Sequence, residues 1–154
     1  MAQRLNNINR IISTLKSGAD FYRKASRTSG KPEHAGVFIE HAELRETVAR
    51  ELAAVIEGVG GEVKEADIKE DAMKTATRIG AIFADTEKTL VAGLEEHEDR
   101  TLAVFREAIH HPDNAGDEAA LSDYMHKFQE SHDRMKALKD SLKGSSVSES
   151  SESA

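Results

Sequence analysis

Apolar residues recur at three- and four-residue steps over four long stretches of this chain, which is the signature of helices that each bury one face. In the first stretch the stripe is Leu5, Ile8, Ile12, Leu15, Ala19 and Tyr22, and it stops at Ser29-Gly30-Lys31-Pro32. Gly suits the position just past a helix, and Pro suits the first turn of the next one. The second stripe, Val37, His41, Leu44, Val48, Leu52, Val55 and Val59, spans Pro32 to Glu57 and ends at Gly58-Val59-Gly60-Gly61. So short a link makes the first pair antiparallel neighbours.

Residues 62–71 are charged, lack a sustained apolar face and read as a crossover. Helical periodicity resumes near Ala72, through Ile79, Ile82 and Phe83, with a break at Asp85-Thr86, where both residues suit an N-cap. It continues through Leu90, Leu94, Leu102, Phe105 and Ile109 to a turn at His110–Asp117. The last stripe is Leu121, Tyr124, Met125, Phe128, His132, Met135 and Leu138, and it is expected to end near Lys143-Gly144. The expected architecture is an all-α, ferritin-like antiparallel four-helix bundle with one long crossover, covering residues 1–143. Residues 144–154 are expected to be a disordered Ser/Glu-rich tail, because Ser145–Ala154 holds six Ser and two Glu with little to bury.

Composition narrows the function classes. Lys and Arg number 21 against 28 Asp and Glu, a net charge of −7, which disfavours a general nucleic-acid binder. With no Cys there are no disulfides, thiol nucleophiles or Cys-ligated metals. No apolar run approaches the roughly 20 residues that span a bilayer, and Met1–Asn7 lacks the apolar core of a secretory signal, so no membrane insertion and a cytoplasmic location are expected. Gly58-Val59-Gly60-Gly61 is no phosphate loop, since it follows a helix and lacks Gly-Lys-Ser/Thr.

Chemistry concentrates where polar residues interrupt apolar faces. Glu98 lies four residues from both Leu94 and Leu102, so it points inward, and Glu95 shares its side of the helix. His132, between Phe128 and Met135, is expected inward as well, within roughly two turns of Glu98. A buried carboxylate needs a partner, which can be a hydrogen-bonded His or Arg or a metal. The preferred reading is a Glu98–His132 or Glu–Arg core pair; the sharper one is a metal site of Glu98, His132, Glu95 and His41, with iron or manganese as candidates. Tyr22 is expected near His41, and His110-His111 are expected to cap a helix end.

Leu5–Ile8 with Ser17–Ala25, Leu94–Asp99 with Val104–Ala108, and His132–Asp140 together resemble a bacterial ferritin-like four-helix-bundle family of unassigned function, in the rubrerythrin/ferritin-like superfamily. The resemblance covers roughly residues 4–143, and it implies a ferritin-like fold, a cytoplasmic location and an association with stress physiology, but no established reaction. Ferritin-like di-metal sites take an acid on each of two helices and Glu-x-x-His on the other two. Here Gln129 precedes His132 where that carboxylate would be, and the second helix has Glu40, His41 and Glu43 without Glu-x-x-His. The expected role is therefore non-enzymatic, by self-association or binding of a protein partner, with metal binding at an incomplete carboxylate/His site as the alternative.

Overall fold

A computed structural model describes residues 2–63 and 87–152, with side-chain environments for residues 3–63 and 90–142. It contains α1 (Ala2–Thr28), α2 (Pro32–Gly58), α3 (Glu87–Ile109), a 3-10 turn (Pro112–Asp117) and α4 (Glu118–Glu152). The expected crossover, the helical pattern from Ala72 and the break at Asp85-Thr86 lie outside the described residues. α4 runs on to Glu152, past the end expected near Gly144.

Local chemistry sets the helix ends. Pro32 opens α2 at its first turn, where a missing N–H costs nothing. At the other end Gly60 takes φ +78°, the left-handed conformation that favours glycine. There Gly61 N–H donates to Ile56 O at 2.9 Å and Gly60 N–H to Glu57 O at 3.0 Å, which closes a Schellman motif. Gly61 also lies against α1, where a Cβ would come within 2.9 Å of Leu5 Cδ1.

α1 packs along α2, α3 along α4, and α1 along α3. Arg4 near the start of α1 reaches Asp117 just before α4, and Arg10 reaches Glu107 near the end of α3, so α1 and α3 are antiparallel. Glu40 pairs with Arg134 and Glu51 with Tyr124, so α2 and α4 are antiparallel too. Helix directions therefore run up, down, down, up. α2 and α3 are thus parallel, as are α1 and α4, and residues 59–86 link α2 to α3 along the chain.

Two apolar clusters fill the interior. One lies toward the start of α1 and includes Ile8, Leu15, Leu52, Phe105 and Phe128. The other lies toward its end and includes Tyr22, Phe38, Leu90, Leu94 and Met135. On α2 the buried face is His34, Phe38, His41, Ala42, Arg45, Val48, Ala49, Leu52 and Ile56, rotated from the expected stripe. Val55 and Val59 are 38% and 45% exposed, whereas Arg45 is inside. Pure apolar periodicity misplaces this face because one of its inward residues is charged.

Candidate functional site

A polar layer crosses the bundle where the two apolar clusters meet. Glu98 of α3 is its centre and is fully buried, one helical turn from both Leu94 and Leu102, as its spacing requires. Each of the other helices sends a group to Glu98 Oε1. From α1, the Tyr22 hydroxyl donates to it. From α4, the Ser131 hydroxyl donates at 2.8 Å. From α2, His41 Nδ1 lies 3.3 Å from Oε1 and 2.9 Å from Ser131 Oγ. Ser131 spends its proton on Glu98, so His41 Nδ1 is the donor to the Ser131 oxygen.

Arg45 completes the layer. It sits one turn beyond His41, is also fully buried, and brings Nη2 to 2.6 Å from Glu98 Oε1. This is a charge contact and not an aligned hydrogen bond, since Nη2 has no hydrogen-bond partner among the described residues. Nη1 donates to His41 O at 3.2 Å. The guanidinium carbon lies 4.6 Å from the Tyr22 ring centre and 5.2 Å from that of Phe128, within cation–π range. Gly18 of α1 permits this placement: a Cβ there would stand 2.8 Å from His97 Cε1 and 2.9 Å from Arg45 Nε.

The electrostatics follow from burial and pairing. Burial pushes the Glu98 carboxyl up, but the Arg45 charge and the His41 and Tyr22 hydrogen bonds outweigh it and hold the pKa at about 2. Burial pushes His97 the other way, and Arg45 adds to the effect, to about 3, so this imidazole is neutral. Burial and the Glu98 charge hold the Tyr22 hydroxyl well above its usual value, against the pull of Arg45. Glu98 Oε2, Arg45 Nε and His97 Nδ1 are buried without hydrogen-bond partners among the described residues.

The expected ligands divide. Glu98 and His41 meet, and Tyr22 joins them by bonding Glu98, with its ring 5.0 Å from that of His41. The expected Glu98–His132 pair does not form. His132 stands at the rim of the α3–α4 interface, with Nε2 2.7 Å from Asp99 Oδ1. Residues 131 and 132 straddle the α4 stripe, and the smaller Ser131 takes the inner place. Glu95 is turned toward α4, where Lys139 Nζ lies 3.0 Å away. Of the two readings held open for Glu98, an arginine partner is the one the geometry realises.

A bound metal does not fit this donor set. The described residues gather no group of three or more His, Asp or Glu that could hold an ion. The oxygen shared by His41 and Glu98 already faces a guanidinium at 2.6 Å, which would repel a second cation. His110 sits at the end of α3 as expected, with Nδ1 2.8 Å from Arg106 O, whereas His111 caps the start of the 3-10 turn, its Nδ1 accepting from Asp113 N–H.

The missed residues are Arg45, His97, Ser131, Gly18 and Asn114. Arg45 had a readable signal, four residues after His41 and three before Val48, which is inward spacing. Asn114 is buried in the turn and holds the start of α1: Asn7 donates to its Oδ1 at 2.6 Å, and it donates to Arg4 O and Asp117 Oδ2.

Fold and site define an all-α antiparallel bundle whose interior carries a buried carboxylate–guanidinium pair. Residues 3–111 match the family model described as "Domain of unknown function (DUF2383)", and the chain belongs to that family. The match ends before α4, so Ser131 and His132 lie outside it. No curated protein and no solved structure matches the chain. Among the described residues, no helix is long and apolar enough to cross a membrane.

Proposed function

We propose that this chain is a non-enzymatic, ferritin-like bundle that acts through its outer surface, by self-association or by binding a protein partner, with stress physiology as the setting its resemblance implies. The observation that carries the reading is the sealing of the polar layer. Tyr22, Arg45 and Glu98 have essentially no exposed surface. Groups suited to acid–base work are thus closed off from outside, whereas a general acid or base must reach its substrate. The up-down-down-up order of helix directions, with residues 59–86 linking the parallel α2 and α3, supports the ferritin-like description.

The test separates interior from surface. A Glu98→Gln/Arg45→Met double variant removes both charges at nearly constant volume. Light scattering over a wide concentration range measures self-association, and cross-linking with pull-down of a defined partner measures hetero-association. A folded double variant that associates like the wild type supports a surface function. Lost association at an unchanged melting temperature would move the function to the interior and end this reading.

A further inference from the structure

We infer that a second copy of this chain docks on the outer side of the α1–α2 pair, with the basic α1 of each copy lying on the acidic α2 of the other. The inference rests on the surface reading above and names the surface.

Charge divides between these two neighbouring helices. α1 holds six Lys and Arg against one Asp, whereas α2 holds six Glu against two Arg, and one of those, Arg45, is buried. α3 and α4 also hold more acids than bases, so α1 is the one net-basic helix of the four described. The exposed side of α1 carries Lys16, Lys24 and Arg27, with Asp20 among them, and that of α2 carries Ile39, Glu43, Arg50 and Glu57. No ion pair among the described residues uses Lys16, Lys24, Arg27, Glu43 or Glu57, which leaves them to a partner. A two-fold axis parallel to the helices uses both stripes at once. It keeps each helix's direction and height, so α1 of one copy meets α2 of the other antiparallel, and the same contact is made twice. Gly18 lies against Arg45 and Arg23 pairs with Glu46, so Lys16 stands within about one turn of the height of Glu43 and faces it across the axis. Two helices of 27 residues, about 40 Å long and about 10 Å across, offer roughly 800 Å² per copy, the size of a standard interface. Ile39, 39% exposed, adds an apolar contact to it. Complementary charge then selects the partner and its orientation.

The test is sedimentation equilibrium of the full chain across protein and NaCl concentration, with thermal unfolding by circular dichroism as the control on folding. The wild type is expected to dimerise with a Kd that rises about tenfold between about 0.05 and about 0.5 M NaCl. Lys16→Glu/Arg27→Glu turns the basic stripe acidic, and Glu43→Lys/Glu57→Lys turns the acidic stripe basic. Each variant alone is expected to self-associate at least about tenfold more weakly while melting within a few degrees of the wild type. Their equimolar mixture is expected to recover a one-to-one dimer, since each reversed stripe then meets its opposite. If a reversed variant does not fold, Lys16→Gln/Arg27→Gln removes charge at the same contact, and an unchanged Kd there counts against the inference. A monomeric wild type, a dimer indifferent to salt or to the reversals, or a mixture that stays monomeric overturns this inference alone and leaves the surface reading in place. Self-association lost in Glu98→Gln/Arg45→Met at an unchanged melting temperature ends the surface reading and this inference with it.

Discussion

Removing one charge of the Glu98–Arg45 pair strands the other, and a double-mutant cycle makes the cost measurable. Opposite unit charges about 4 Å apart attract by about 4 kcal/mol at an effective dielectric constant of about 20. Each ion loses several kcal/mol of hydration when buried, so the intact pair is close to balance. Glu98 and Arg45 are both fully buried, so neither can recover that hydration once its partner is gone. Glu98→Gln alone and Arg45→Met alone should each destabilise by about 3–5 kcal/mol. The double variant should recover most of that loss, because no charge is left inside. At about 4 °C per kcal/mol for a chain of this size, each single variant should melt about 12–20 °C lower. Urea unfolding followed by circular dichroism supplies the free energies for the cycle. A double variant as unstable as the sum of the singles would refute the pairing, since independent sites add.

The remaining predictions concern pH, packing and the C-terminus. His97 binds a proton in the unfolded chain near pH 6.5 and in the folded one only near pH 3, so stability should fall on acidification by about 1.4 kcal/mol per pH unit between those values. Glu98 is depressed from 4.5 to about 2, so its contribution is complete above pH 4.5 and lost toward pH 2, which steepens the slope below 4.5. A His97→Leu variant should flatten the profile above pH 4.5, and an unchanged slope would show that His97 is not held neutral. Gly18→Ala should destabilise by about 1–3 kcal/mol despite the better helix propensity of Ala, because its Cβ meets His97 and Arg45; a raised melting temperature would show that both side chains give way easily. Deleting Ser145–Ala154 should leave the melting temperature nearly unchanged, since the segment holds six Ser and two Glu and little to bury, and a drop of several degrees would show that the tail docks.

The fold was legible because its cues are local. Gly30 and Pro32 mark the first hairpin, Gly60 and Gly61 stop α2, and His110–Asp117 breaks the second hairpin. The inward aim of Glu98 was legible as well, since Leu94 and Leu102 bracket it at four-residue steps. Its partner was hidden by the same reasoning. A stripe drawn through apolar residues alone prefers Leu44 to Arg45, and so turns the α2 face toward Val55 and Val59, which are exposed. An inward acid demands an inward base, and Arg45 is the basic residue with inward spacing on α2; that rule joins residues far apart in the chain, which periodicity along one helix cannot do. Ser131 and His97 were missed for a simpler reason: each adjoins a more conspicuous candidate, His132 and Glu98.

A near-balanced pair cannot be explained by the stability it adds, so its value must lie elsewhere. Two apolar clusters of similar residues can slide along one another at little cost, because any Leu or Ile meets another one turn away. The polar layer between them cannot. A one-turn slip of α3 would carry Glu98 away from Tyr22, His41, Arg45 and Ser131 and bury it among apolar side chains, where an unpaired carboxylate is very costly. The layer therefore specifies register across all four helices, a role attested for buried polar residues in helical assemblies. An apolar Glu98→Leu/Arg45→Met variant should then gain or keep stability yet lose uniqueness. Its amide spectrum should broaden or double, and exchange protection along α3 should fall. A variant as sharp and as well protected as the wild type would show that packing alone sets the register.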